Sequence, residues 1–148
     1  MWFTKALPLL TSLALLATLA AAQKPLPSSL AQTLHAAQWK KRVLLIGAPN
    51  AAQADFQRQK KLLAAVPDQL RERDFLVLEV TLNQLPLGDG LYWEKQFGQP
   101  LTQFTVVLIG KDGGVKRLEN KPINPADLFA TVDKMPMRRQ EMRQSKHD

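Results

Sequence analysis

The chain has 148 residues, no cysteine, and 20 lysines and arginines against 13 acidic residues, for a formal net charge of +7. Disulfide bonding, lipid attachment through a cysteine and thiol redox catalysis are all excluded, because each requires a thiol. The only histidines, His35 and His147, are too far apart in sequence to give a metal-ligand spacing.

Met1 to Lys5 carries one cation, Ala6 to Ala22 is apolar apart from Thr11, Ser12 and Thr18, and the segment ends in three alanines. This is the pattern of a secretory signal peptide, with cleavage expected after Ala22. The expected organisation is a leader at 1–22, a linker at 23–29 with two prolines in "QKPLP", a domain at 30–136 and a charged tail or short helix at 137–148. With no cysteine after the leader, no membrane anchor is expected once it is removed, and the exported form is placed in the periplasm or the medium. That form keeps 19 basic residues (the 20 less Lys5) against 13 acids. Such a balance favours anions in general. For an exported chain these are envelope phosphates, lipid headgroups or acidic polymers, and nucleic acid is not an expected partner.

From Ser28 onward, Leu30, Leu34 and Ala37 share a helical face, with Ser28 or Ser29 as the cap. Trp39 and the run Lys40, Lys41, Arg42 close that helix. Val43 to Ile46 is an apolar run bounded by charge and by Gly47, as in a strand covered on both faces. Asn50 with Gln53 reads as a capping box opening a helix in which Ala52, Phe56, Leu63 and Val66 face inward, with Gln59 their one polar member. Pro67 bends or restarts that helix, and Phe75 to Val80 is a second buried run. Two strands joined by a helix form a βαβ unit, so they are expected to be parallel.

Between Thr81 and Gln103 the pattern is weak: Gly88 and Gly90 suggest a loop, and Leu91 to Phe97 a short helix. Phe104 to Ile109 and Val115 to Leu118, joined through Asp112 and Gly113, predict a β-hairpin. Asn124, Pro125 and Asp127 then start a helix that turns Leu128, Phe129 and Val132 inward, and Pro136 stops or kinks it. A βαβ unit followed by a hairpin and a helix is the thioredoxin-like plan, an α/β fold with a mixed sheet.

"RVLLIGAP", "LIGKDGGVK" and above all "LFATVDKMPMRRQEMR" resemble the bacterial branch of a domain of unknown function, called DUDES-type, with relatives in animal extracellular-matrix and sushi-repeat proteins. The resemblance covers roughly Leu30 to Arg143 and implies a thioredoxin-like fold with no established activity. It matches at Arg42, at Lys111, Asp112 and Gly113, and at Met135, Pro136, Met137, Arg138, Arg139, Glu141 and Met142. Against thioredoxins themselves there is a departure: Phe104 stands where those enzymes carry a proline before the third strand.

In a thioredoxin the turn after the first of these strands would carry the cysteines, and here it reads "APNAAQ". Disulfide exchange and thiol peroxidase activity are therefore excluded, and no catalytic, cofactor or metal residue is assigned. No serine sits in a glycine-flanked elbow, and Asp112 has a structural use in its turn. Glu79, inside an apolar strand, is either a buried acid or an edge residue. The best remaining set is Lys111, Lys116, Arg138 and Arg139, since arginine forks match phosphate and carboxylate and adjacent methionines suit a docking surface. The expected function is an exported, non-redox module binding an envelope protein or anionic ligand. An enzyme using carboxylates or backbone donors in the vestigial cleft, and a structural adaptor without a ligand site, are the alternatives.

Overall fold

A computed structural model of the chain describes residues 28–146. The expected signal peptide, residues 23–27 of the expected linker and His147 lie outside the described residues. Helix α1 (Leu30–Ala37) opens with a complete capping box: the Ser29 hydroxyl accepts the Gln32 N–H and the Gln32 side chain accepts the Ser29 N–H. Strand β1 (Arg42–Ala48) follows and is buried at every position.

Helix α2 (Ala54–Ala64) begins later than the sequence suggests. Gln53 caps it by accepting the Phe56 N–H, while Asn50 closes a turn on the Ala52 N–H, so Ala52 and Val66 fall outside the helix. Both side chains satisfy amides, as expected, but of two successive turns and not of one box. Gln59, the odd polar residue on the inner face, is fully buried and forms a reciprocal pair with the backbone of Ile123, donating to its carbonyl at 3.1 Å and accepting its N–H at 2.7 Å. Pro67 restarts the chain as α3 (Pro67–Glu72), at whose first turn a missing N–H costs nothing.

Strand β2 (Phe75–Thr81) lies parallel to β1, with Arg42 opposite Phe75 and Ala48 opposite Thr81. A 3-10 turn at Leu82–Gln84 leads to α4 (Leu87–Phe97). Gly88 and Gly90 sit in the first turn of this helix, where their low propensity masks it in sequence. Packing overrides propensity: Trp93 is fully buried with Phe97 edge-on at 5.2 Å, and the indole lies against Gly47, where an added Cβ would come within 2.3 Å of Trp93 Cη2.

Strands β3 (Thr105–Ile109) and β4 (Val115–Glu119) form the expected hairpin, with β3 antiparallel to β1. Gly113, at φ 83°, makes the reversal that a side chain would strain. Helix α5 (Pro125–Asp133), capped by Asn124, and α6 (Pro136–Gln144) complete the chain. Pro136 is the first residue of α6, so the expected break at residue 136 is the start of a nine-residue helix.

The sheet order is β2-β1-β3-β4. Leu45, Val107, Trp93 and Phe97 pack on the face that α1 and α4 cover; Leu44, Ile46, Phe56, Leu63, Leu128 and Val132 pack on the face of α2 and α5. No helix among the described residues is long and apolar enough to cross a membrane.

Candidate functional site

The redox position of a thioredoxin-like sheet is the turn between β1 and α2. Here it runs from Pro49 to Gln53 and contains no titratable side chain. Asn50 and Gln53 take the amides of Ala52 and Phe56, so these two donors are already engaged. No cis peptide bond occurs among the described residues, Phe104 included.

Polar side chains converge at the opposite end of the sheet, where β1 begins and β3 ends. Arg42 is almost wholly buried and holds Glu141 of α6 with two prongs, Nη1 to Oε2 and Nη2 to Oε1, both at 3.1 Å; Nη1 also donates to the Arg73 carbonyl. Lys111, just after β3, donates to Glu141 at 2.7 Å and to Asp74 at 2.8 Å. Arg138 donates to Glu72 at 2.6 Å and to Asp133 at 3.2 Å, and Arg73 grips the same Asp133 carboxylate with two nitrogens. Four cations and four acids are thus interlocked, tying α6 to β1, β3, α3 and α5.

The electrostatics favour the charged forms of Asp74, Lys111, Asp133, Arg138 and Glu141. The Lys111 hydrogen bond pulls Asp74 below the usual carboxylate range. Burial opposes the charges on Glu141 and Asp133, yet hydrogen bonds from Arg42 and Lys111, and from Arg73 and Arg138, prevail and lower both. Burial likewise works against Lys111 and Arg138, and their acid partners outweigh it and raise both. A proton-transfer catalyst needs a pKa near working pH, and these groups have been moved away from it.

The four residues singled out from the sequence separate. Arg138 is 5% exposed and serves the ion-pair network, not a binding face. Lys111 is its neighbour in that network. Lys116 lies on the surface and pairs with Asp112 of its own hairpin at 2.6 Å, the bond that chiefly lowers Asp112. Arg139 is exposed and has no acidic partner among the described residues. No single flat basic face unites the four, because Arg138 turns inward while its neighbour in the helix turns out. Glu79 is exposed on β2 and paired with Lys60, so the edge reading holds. His35 is exposed on α1, and no group of three His, Asp or Glu among the described residues could hold a metal.

Lys111 and Lys116 do meet at a cavity of about 140 Å³, lined also by Arg42, Gly110, Asp112, Met135, Pro136 and Met137. Met137 is partly exposed, and Trp39, 64% exposed, stands at the same end with its backbone N–H donating to the Lys111 carbonyl. Trp39 has φ 66°, a left-handed backbone conformation disfavoured for a bulky residue. Trp39 went unassigned at the sequence level beyond closing α1; an aromatic in "QWKKR" after a helix with no glycine to end it was the available signal.

Residues 33–141 match the family described as a domain of unknown function, DUF4174, and the chain belongs to it. Coiled-coil domain-containing protein 80 of Danio rerio is 27% identical over 140 residues, a match that takes 78% of this chain but only 16% of that protein. Among solved structures, reduced 2-Cys peroxiredoxin from Plasmodium vivax superposes with a TM-score of 0.52 at 17% identity, over 68% of this chain and 80% of that one. The fold is thioredoxin-like.

Proposed function

We propose that the chain is an exported, non-redox thioredoxin-like module that binds an anionic envelope ligand at the hairpin end of its sheet. The apolar leader supports export, and the missing thiol removes the redox chemistry of the scaffold. The observation that carries the reading is the convergence of Lys111, Lys116, Met135, Pro136 and Met137 on one cavity, at the end of the sheet where an exposed and strained Trp39 donates its backbone N–H to the Lys111 carbonyl. Strain at an exposed aromatic is retained where the side chain has a use. Lys116 and Arg139 supply exposed cations, and Trp39 and Met137 supply apolar contact.

The test is a fluorescence titration through Trp39 with pyrophosphate and, separately, with phosphatidylglycerol vesicles, which distinguishes a free phosphate from a headgroup. Joint replacement Lys116→Ala and Arg139→Ala removes two exposed charges, each about 0.2–1 kcal/mol, and is expected to weaken binding up to roughly tenfold. Binding that is unchanged in the double variant, or absent with both probes, contradicts the proposal.

A further inference from the structure

Strand β2 is an outer strand of the sheet, paired on one side with β1. Among the described residues no backbone group other than those of β1 pairs with residues 75–81, so every second N–H and C=O of this strand faces outward. Edge strands are ordinarily blunted by proline, a bulge, short length or an unpaired charge. This one has seven residues, no proline, an unbroken register with β1, and a single charge, Glu79, that Lys60 holds at 2.9 Å.

The edge is flanked by grooves on both faces. One, of about 530 Å³, lies between Leu76 and α1 and carries Lys40 and Lys41; the other, of about 450 Å³, lies between Val77 and α2 and carries Lys60 and Lys61. Lys41 and Lys60 have acidic neighbours in Asp74 and Glu79. Lys40 and Lys61 have none among the described residues.

From this we infer that β2 accepts an extended acidic peptide as a fifth strand. Backbone pairing along the open edge supplies affinity, and side chains alternating to the two faces meet apolar floors with a lysine rim on each side. The occupant is acidic because the edge carries four lysines at these two grooves against Glu79 and Asp89, which line a third groove toward Thr81. A second copy of the chain fits less well, since two-fold pairing along β2 sets one α2 beside the other with Lys60 and Lys61 facing their counterparts. This site is separate from the hairpin end, and its failure leaves the proposed function standing.

The test uses the acetylated heptapeptide Glu-Glu-Val-Val-Glu-Glu-Val, which sends acidic side chains to both faces of an added strand, with Lys-Lys-Val-Val-Lys-Lys-Val as its charge opposite, followed by backbone amide NMR of the exported form. The acidic peptide is expected to shift and protect amides of residues 75–81, and the basic one to leave them unmoved. Lys40→Glu with Lys61→Glu, both exposed and remote from the packed core, is expected to weaken the acidic peptide at least tenfold and to admit the basic one. Amides of β2 that do not respond, or a response indifferent to the charge reversal, overturn the inference. Concentration-dependent protection of β2 without peptide also overturns it, in favour of self-pairing.

Discussion

Arg42 and Glu141 are 99 positions apart and bind each other through two nearly equal hydrogen bonds, with the arginine shut away from water and the glutamate one-quarter exposed. That pair fastens the last helix to the first strand. Helix α6 has little apolar surface of its own, so ion pairs hold it where other helices are held by burial. Because the arginine is buried, loss of its partner leaves a charge in a poor environment. Glu141→Ala should cost about 3–5 kcal/mol, a large share of the roughly 5–15 kcal/mol that such a domain has. Urea denaturation checks this, and Arg42→Met combined with Glu141→Met should recover part of the loss.

The same network sets the pH range of stability. Asp74, Asp133 and Glu141 are lowered in the folded state, so the stability they contribute is complete above the ordinary values of 3.8 and 4.5 and is lost as pH falls through the lower folded values. Lys111 is raised, so its contribution is complete below 10.5 and is lost as pH rises through the higher folded value. Thermal unfolding should therefore show a plateau from about pH 5 to pH 10 bounded by an acid limb and an alkaline limb. In Lys111→Met the alkaline limb should flatten.

Gln59 should be intolerant of an apolar replacement. Gln59→Leu conserves volume but strips the Ile123 N–H and C=O of their buried partners, a cost of about 1–3 kcal/mol for each group left unpaired. Chemical denaturation would show the loss, and a neutral result would mean that water replaces the side chain.

Trp39 offers the opposite sign. At φ 66° a glycine is unstrained, so Trp39→Gly should raise stability by about 1 kcal/mol while weakening binding at the hairpin end. Stability and affinity moving in opposite directions would mark the residue as kept for contact and not for folding.

The legible parts of the fold were those whose signal is local. Val43 to Ile46, the Asp112 and Gly113 reversal, and the Asn124, Pro125 start of α5 each carry their instruction within a few residues. Helix α4 was legible from Leu91 to Phe97 but not in its first turn, where Gly88 and Gly90 argue locally for a loop and the packing of Trp93 against Gly47 holds the helix in place. Of the candidate site the cations Lys111, Lys116, Arg138 and Arg139 were legible, but Trp39 and the acidic partners were not. Lys111 and Arg138 are cations in any reading, but the acids that claim them, Asp74, Glu72 and Asp133, lie tens of residues or one turn away. Spacing in sequence cannot distinguish a cation committed to a partner from one open to a ligand.

The proposed function depends on which end of the sheet meets a ligand. Backbone amide NMR during titration with pyrophosphate and with phosphatidylglycerol vesicles decides it. Shifts should gather at Trp39, at Gly110 to Lys116 and at Met135 to Arg139, with Pro49 to Gln53 silent. Shifts centred on Pro49 to Gln53 would put recognition back at the old redox position and contradict the account.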